Sequence, residues 1–401
     1  MLHLTMIRSL ARERGAFAHG FARYGLNSAA VNSIQYYQLR NTMTDSIPTQ
    51  YRVLILGASY GSLLSTKLML AGHHATLVCR DTTAEIFNTG GSVVRMPVRG
   101  HEGLVEVASG ALSGSLHAAS PGNVSPSEFD LVVLAMQEPQ YSAAGVRELV
   151  GRVAASGVPT MAITNMPLLP YLERIPGLQT ASLRPCFLEP ELWDAFDPGL
   201  MTLCSPDPQA FRPPEEQPNV LQVRLPTNFK AAAFASDAHT AMLRDLDAGI
   251  EAARFNSPDL GVLELPVKLR VHDSVFVPLA KWAMLMAGNY RCVQAEKMRP
   301  IKDAVHGDIE ASQAVYDWVV GICIDLGGEA SDFVPFDKYA NAASSLASPS
   351  SAARALASGA TNIERVDKLV ALVAAQQGKK LEEVDETVAL VEKWLTQNRA
   401  A

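Results

Sequence analysis

Two stretches of the sequence carry residue types that could do chemistry. One is Lys281, a charge within the nearly uncharged run 274–293. Burial disfavours the charged form of a lysine, so an ammonium placed there has a lowered pKa and is readied for proton transfer. The other is the turn Gly57-Ala58-Ser59-Tyr60-Gly61, in which one glycine closes an apolar run and another opens a helical pattern. Such glycines let a pyrophosphate approach backbone N–H groups and the positive end of a helix dipole. The spacing is GxSxG rather than GxGxxG: Ser59 replaces the glycine of closest approach and the turn is one residue short, so its context must carry the reading. A nucleophile elbow also places a serine between strand and helix, but no partner histidine and acid stand out for Ser59.

The context is a strand, turn, helix, strand unit. RVLILG at 52–57 is a run of Val, Leu and Ile that reads as a buried strand. A helical pattern through Leu64, Leu68 and Leu70 stops at Ala71-Gly72, and ATLVC at 75–79 is a second β-rich run. Roughly 30 residues in this order make the first βαβ of a dinucleotide-binding sheet. The second strand ends Cys79-Arg80-Asp81. An arginine there pairs with the 2′-phosphate of NADP, whereas an acid takes the ribose hydroxyls of NAD; Arg80 comes first, so NADP is expected.

Further elements must position these groups. DLVVLAM (130–136), an amphipathic segment at 143–155 and PTMAIT (159–164) continue the alternation of strand and helix, predicting a mainly parallel sheet covered on both faces. LMTLC and VLQVRL, inside the Pro-rich stretch 167–226, read as extra antiparallel strands appended to that sheet. A helix at about 238–253 and a strand near VLELPV complete the first half. Beyond residue 271 the β signal ends. A buried central helix is predicted over 274–293, with amphipathic helices at 308–326, 336–346, 362–376 and 381–397, and the Ala/Ser tract 340–360 reads as a helix-breaking loop. The expected organisation is an extension at 1–48, a Rossmann domain at 49–268 and a helical substrate and dimerisation domain at 269–401.

Composition narrows the function classes. At 48% hydrophobic and 19% charged, the 401 residues describe a globular protein and exclude collagen, coiled coil and wholesale disorder. No apolar stretch reaches the ~20 residues of a membrane helix, because Pro278 and Lys281 interrupt the best one. Five cysteines, none in CxxC spacing, imply neither a zinc site nor a disulfide framework, and a reducing, cytoplasmic setting is expected. Residues 1–48 hold five Arg against Glu13 and Asp45, a balance of +3, so the remainder of the −7 chain carries −10. That acidic body argues against nucleic acid as a partner. The Arg-rich, acid-poor segment has the composition of a transit peptide, although a true start at Met43 after an overlong upstream reading is favoured. The histidines show no metal-ligand spacing. His272-Asp273 sits where a turn should precede the central helix, and adjacent strand residues point to opposite faces, so the two form no dyad.

With these motifs in place, the chain resembles the ketopantoate reductase (2-dehydropantoate 2-reductase) family, in LILGASYGSLLSTKLMLAGHHATLVCR, DLVVLAMQEPQ, LAKWAMLMAGN and SPSSAARALASGATNIERVDKL. The resemblance implies a Rossmann sheet followed by an all-helical half like that of 6-phosphogluconate dehydrogenase, an NADPH cofactor and reduction of a 2-oxoacid. It implies that Lys281 is the general acid and that Asn289 binds substrate. The two are eight residues apart and close to one helical face. It gives Gln140 a place near the cofactor, joining Gly57, Ser59, Tyr60, Gly61, Arg80 and Gln137, and gives Asn165 and Ser351 (or Ser350) to the substrate. The sequence departs from the family where a carboxylate helps hold the substrate: the run Thr361-Asn362-Ile363-Glu364 places an amide at Asn362 and a carboxylate two residues on. Gln137 replaces a lysine, Leu285 replaces an asparagine, and the segment between Asn165 and Lys281 is longer than usual. These departures predict conserved hydride chemistry with a rebuilt, more apolar or larger substrate pocket. A non-catalytic NADP sensor and an opine-type dehydrogenase are the alternatives.

Overall fold

The computed structural model describes residues 49–401, so the extension at 1–48 lies outside the described residues. Gln50–Ala401 form one compact unit. Its centre is an eight-stranded sheet of β1 (Arg52–Leu56), β2 (His74–Val78), β3 (Ser115–Ala119), β4 (Leu131–Leu134), β5 (Thr160–Ile163), β6 (Met201–Ser205), β7 (Phe229–Ala232) and β8 (Leu269–His272), in the spatial order 8-7-6-5-4-1-2-3. Every neighbouring pair is parallel except β6 with β7. The four apolar residues Val53 to Leu56 are fully buried because both faces of the sheet are covered: Val53 and Ile55 join one core, Leu54 and Leu56 the other. Helices α1 (Tyr60–Leu70), α2 (Asp81–Gly90), α3 (Val146–Ser156) and α4 (Asp237–Ala252) follow the predicted alternation.

Three expectations about the strands are corrected. LMTLC enters the sheet as β6, antiparallel to β7 as expected but parallel to β5 and so to the body of the sheet. The long connection from β5, built of short helical turns, gives the chain room to cross back and run parallel. VLQVRL lies outside the main sheet, in a separate four-stranded sheet where it pairs with Val93–Pro97 and Gln209–Phe211. The strand near VLELPV is a short ribbon, Phe255–Ser257 against Gly261–Leu263, while β8 lies wholly beyond residue 268.

The carboxyl half is helical: α5 (Ile309–Asp325), α6 (Phe336–Ala343), α7 (Ser351–Ala357), α8 (Val366–Gln376) and α9 (Glu382–Ala400). It shares one core with a face of the sheet, from Leu54 and Leu134 to Val391 and Leu395. The predicted central helix is irregular. It passes from a 3₁₀ segment, Val277–Ala280, into an α turn, Lys281–Met284, then a π turn, Leu285–Asn289, and a 3₁₀ end, Tyr290–Cys292. The Tyr339 hydroxyl donates to the Met284 carbonyl at 2.9 Å. Gly288 makes this approach possible, since a Cβ there would stand 2.0 Å from the Tyr339 oxygen. The Ala/Ser tract is not all loop: Ser350 accepts from the Ala353 amide at 3.2 Å and so caps α7, which the alanines favour. The helix predicted from 362 begins only at Val366, leaving 362–365 outside it.

Candidate active site

Parallel strands with helices on both faces place ligands outside the carboxyl ends, where the strand order reverses. Here that point lies between β1 and β4. The turn after β1 presses against the turn after β4: a Cβ on Gly57 would stand 2.6 Å from the Ala135 carbonyl oxygen and 2.6 Å from Met136 Cγ, and Gly57 has φ +107°. Gly61 brings α1 onto the sheet, because a Cβ there would stand 2.8 Å from Ile55 Cγ2. No side chain caps the amides that open α1, so this cradle fits a pyrophosphate. Ser59 occupies the N-cap position of α1.

Arg80 is exposed at the end of β2 and opens α2. It is joined by Arg212, which follows the strand Gln209–Phe211. Burial pushes the Cys79 thiol up, while the charges of Arg212 and Arg80 both oppose that shift. Arg212 is itself lowered by burial, with Arg80 adding to the effect. Two cations therefore stand near the end of β2. Arg212 lies 132 residues from Arg80 in a Pro-rich segment, and no sequence signal ties them together.

Across the crevice a small cavity of about 30 Å³ is lined by Gln137, Asn165, Leu285, Asn289, Ser351 and Glu364, among others. Four of the expected cofactor or substrate residues, Gln137, Asn165, Asn289 and Ser351, are thus brought together. The π turn sets Leu285 and Asn289 on the cavity, and the Ser350 hydroxyl donates to the Asn289 carbonyl at 2.7 Å, tying α7 to that turn. Asn165 Oδ1 is buried without a hydrogen-bond partner in the protein. Gln140 does something local: its Oε1 accepts from the Gln137 amide at 3.0 Å, closing the turn after β4. Asn362 is not brought to this cavity. It lines a separate pocket of about 150 Å³ and accepts from Arg399 at 3.2 Å.

The carboxylate of the cavity is Glu364, 7% exposed. Thr164 donates to it at 2.5 Å, and the Tyr290 hydroxyl donates to its carbonyl. Burial pushes the Glu364 carboxyl up to about 6, against the hydrogen bond from Thr164. Glu138 nearby is pushed up to about 7 by burial, with the Leu188 amide opposing.

Lys281 does not line the cavity; it stands one turn before Leu285. Its side chain is 21% exposed, and Nζ donates to the Pro206 carbonyl at 2.6 Å and lies 3.5 Å from Asp207 Oδ1. Burial lowers its pKa while Asp207 and, more weakly, Glu364 raise it. Burial pushes the phenol of Tyr60, at the start of α1, up to about 12, and the charges of Asp207 and Glu364 add to that shift. Among the described residues there is no cluster of His, Cys, Asp and Glu able to hold a metal ion, no helix long and apolar enough to cross a membrane, and all five cysteines are free.

Sheet, glycine turn and helical half together define a Rossmann-type α/β fold with an all-helical partner half. Solved structures with this fold are similar over most of their length. A 2-dehydropantoate 2-reductase from Methylococcus capsulatus matches with TM-score 0.57 and 12% identity, covering 86% of this chain and 97% of its own. A PanE/ApbA family ketopantoate reductase from Ralstonia eutropha matches with TM-score 0.52 and 15% identity, over 87% and 99%. D-mandelate dehydrogenase, solved with NADH and anilino(oxo)acetate, matches with TM-score 0.57 and 11% identity, over 87% and 99%. The chain thus has the ketopantoate reductase fold. No family model matches the sequence, and no curated protein matches it.

Proposed function

We propose that this protein is an NADP(H)-dependent oxidoreductase of ketopantoate reductase type, acting on a 2-oxoacid with an apolar side chain. The observation that supports it most is the glycine cradle at the reversal point of the sheet, where the turn after β1 presses on the turn after β4 through Gly57, with Lys281 one turn before Leu285 of the cavity. Gly57 and Gly61 would admit the pyrophosphate, and Arg80 with Arg212 the 2′-phosphate. NADPH, when bound, supplies hydride to the carbonyl carbon. Lys281 gives a proton to the carbonyl oxygen. Asn165, Asn289 and Ser351 orient the substrate, and Glu364, rather than Asn362, is the carboxylate beside it. Leu285, Ala352, Ala355 and Ile363 favour an apolar substituent. The D-mandelate dehydrogenase solved with anilino(oxo)acetate supports a larger acid of this class, and a dimeric ketopantoate reductase from Staphylococcus aureus with the same fold supports a homodimer. The second reading, an NADP-binding sensor, is favoured by Lys281 lying outside the cavity lining.

Cofactor titration tests the nucleotide assignment. The protein should bind NADPH more tightly than NADH, and Arg80→Ala and Arg212→Ala should each weaken NADPH binding about tenfold, as losing a charge-assisted contact does, with little change for NADH. Binding of neither nucleotide would overturn the proposal.

A further inference from the structure

We infer that Asp207, on the turn after β6, is the positioning residue that aims Lys281 and holds its charge. The inference rests on Lys281 being the proton donor proposed above. An ammonium has three N–H donors and no acceptor. One is spent on the Pro206 carbonyl at 2.6 Å, and a second faces Asp207 Oδ1 at 3.5 Å. Because both acceptors sit on adjacent residues of one turn, they fix the direction of Nζ and leave one donor for a substrate oxygen.

The turn is in turn held by the sheet. Asp207 Oδ2 lies 3.2 Å from Lys230 Nζ, the Ser205 hydroxyl donates to Oδ1, and the Asp207 amide donates to the Ser205 carbonyl at 3.0 Å. Ser205 and Lys230 are direct partners across β6 and β7. One carboxylate thus sits between two ammonium groups. Burial alone would push Asp207 up, yet Lys281 and Lys230 together hold it below the usual carboxylate range. The other groups in reach are Glu364 on the segment before α8, Tyr60 at the start of α1, Cys204 on β6, pushed up by burial, and His272 on β8, lowered by burial. On α5 and α6, packed behind the central helix, burial pushes Tyr316, Cys323 and Tyr339 up, so they stay neutral in the working range.

A proton donor works while protonated, so carbonyl reduction is present at low pH and lost as pH rises through the Lys281 pKa. Asp207→Asn leaves two ammonium groups without their shared carboxylate and should move that alkaline limb down by about 1–3 pH units, while Asp207→Glu keeps most of it. Lys230→Met removes a like charge and should move the limb the other way, up by roughly half a unit. A role confined to folding would lower activity at every pH and leave the limb in place. The experiment is the pH profile of kcat for NADPH-dependent oxoacid reduction in the full chain and the three variants, with Lys281→Met alongside. Opposite shifts for Asp207→Asn and Lys230→Met support the inference. If Lys281→Met is inactive while a folded Asp207→Asn keeps the wild-type limb, the positioning role alone fails. If Lys281→Met stays active, the proton-donor reading fails and takes this inference with it. If Asp207→Asn does not fold, the Lys230→Met shift decides, and an unmoved limb there overturns the inference.

Discussion

Replacing Lys281 by methionine is expected to lower kcat for carbonyl reduction by about 10²–10⁴-fold, the usual contribution of a positioned general acid. Methionine keeps an unbranched apolar stem of similar length, and Asp207 keeps Lys230 as a partner at 3.2 Å, so no buried carboxylate is left uncompensated. Folding and cofactor affinity should therefore change little. Single-turnover kinetics with a parallel NADPH titration separate the two quantities. Retained turnover would remove Lys281 from the chemistry, whereas lost nucleotide binding would show that the substitution had disturbed the crevice rather than the proton transfer.

Gly57→Ala should be nearly as damaging, by a different route. At φ +107° an L side chain is strained whatever space surrounds it, at a cost of about 1–3 kcal/mol. The added Cβ would also meet the Ala135 carbonyl oxygen and Met136 Cγ, each at 2.6 Å. The first of these is backbone of the turn after β4 and cannot rotate away. The two turns that form the cradle would have to separate, which should weaken NADPH binding at least tenfold and lower the urea midpoint. Gly61→Ala is a useful contrast, because its closest contacts are the side chains of Ile55 and Leu77, at 2.8 and 3.2 Å. An unchanged midpoint and unchanged binding in Gly57→Ala would mean that the turn is looser than its geometry.

Much of this was legible from residue types alone. A strand buried on both faces is a continuous apolar run, so β1, β2, β4 and β5 stand out in RVLILG, ATLVC, DLVVLAM and PTMAIT. Such a run does not carry its direction, which comes from how far the preceding connection travels; hence LMTLC reads equally well as antiparallel or parallel. The π turn at Leu285–Asn289 depends on Gly288 meeting the Tyr339 hydroxyl from a helix some fifty residues on, and no local propensity announces it. Lys281 stands out as a charge in an apolar helix, but its partners Asp207 and Lys230 do not. They are brought beside it only by the pairing of β6 with β7, and Asp207 sits within CSPDPQ, whose prolines and small polar residues signal a turn and nothing more. Glu364 rather than Asn362 reaches the cavity because 362–365 lies outside the helix predicted there.

The most direct measurement is the absorbance of reduced nicotinamide when the protein is mixed with NADPH and a panel of 2-oxoacids, from ketopantoate to acids with larger apolar side chains. Oxidation of NADPH by at least one acid, without any added amino acid and abolished in Lys281→Met, is the predicted result. Tight NADPH binding with no oxidation by any member would contradict it and make the protein a nucleotide-binding sensor.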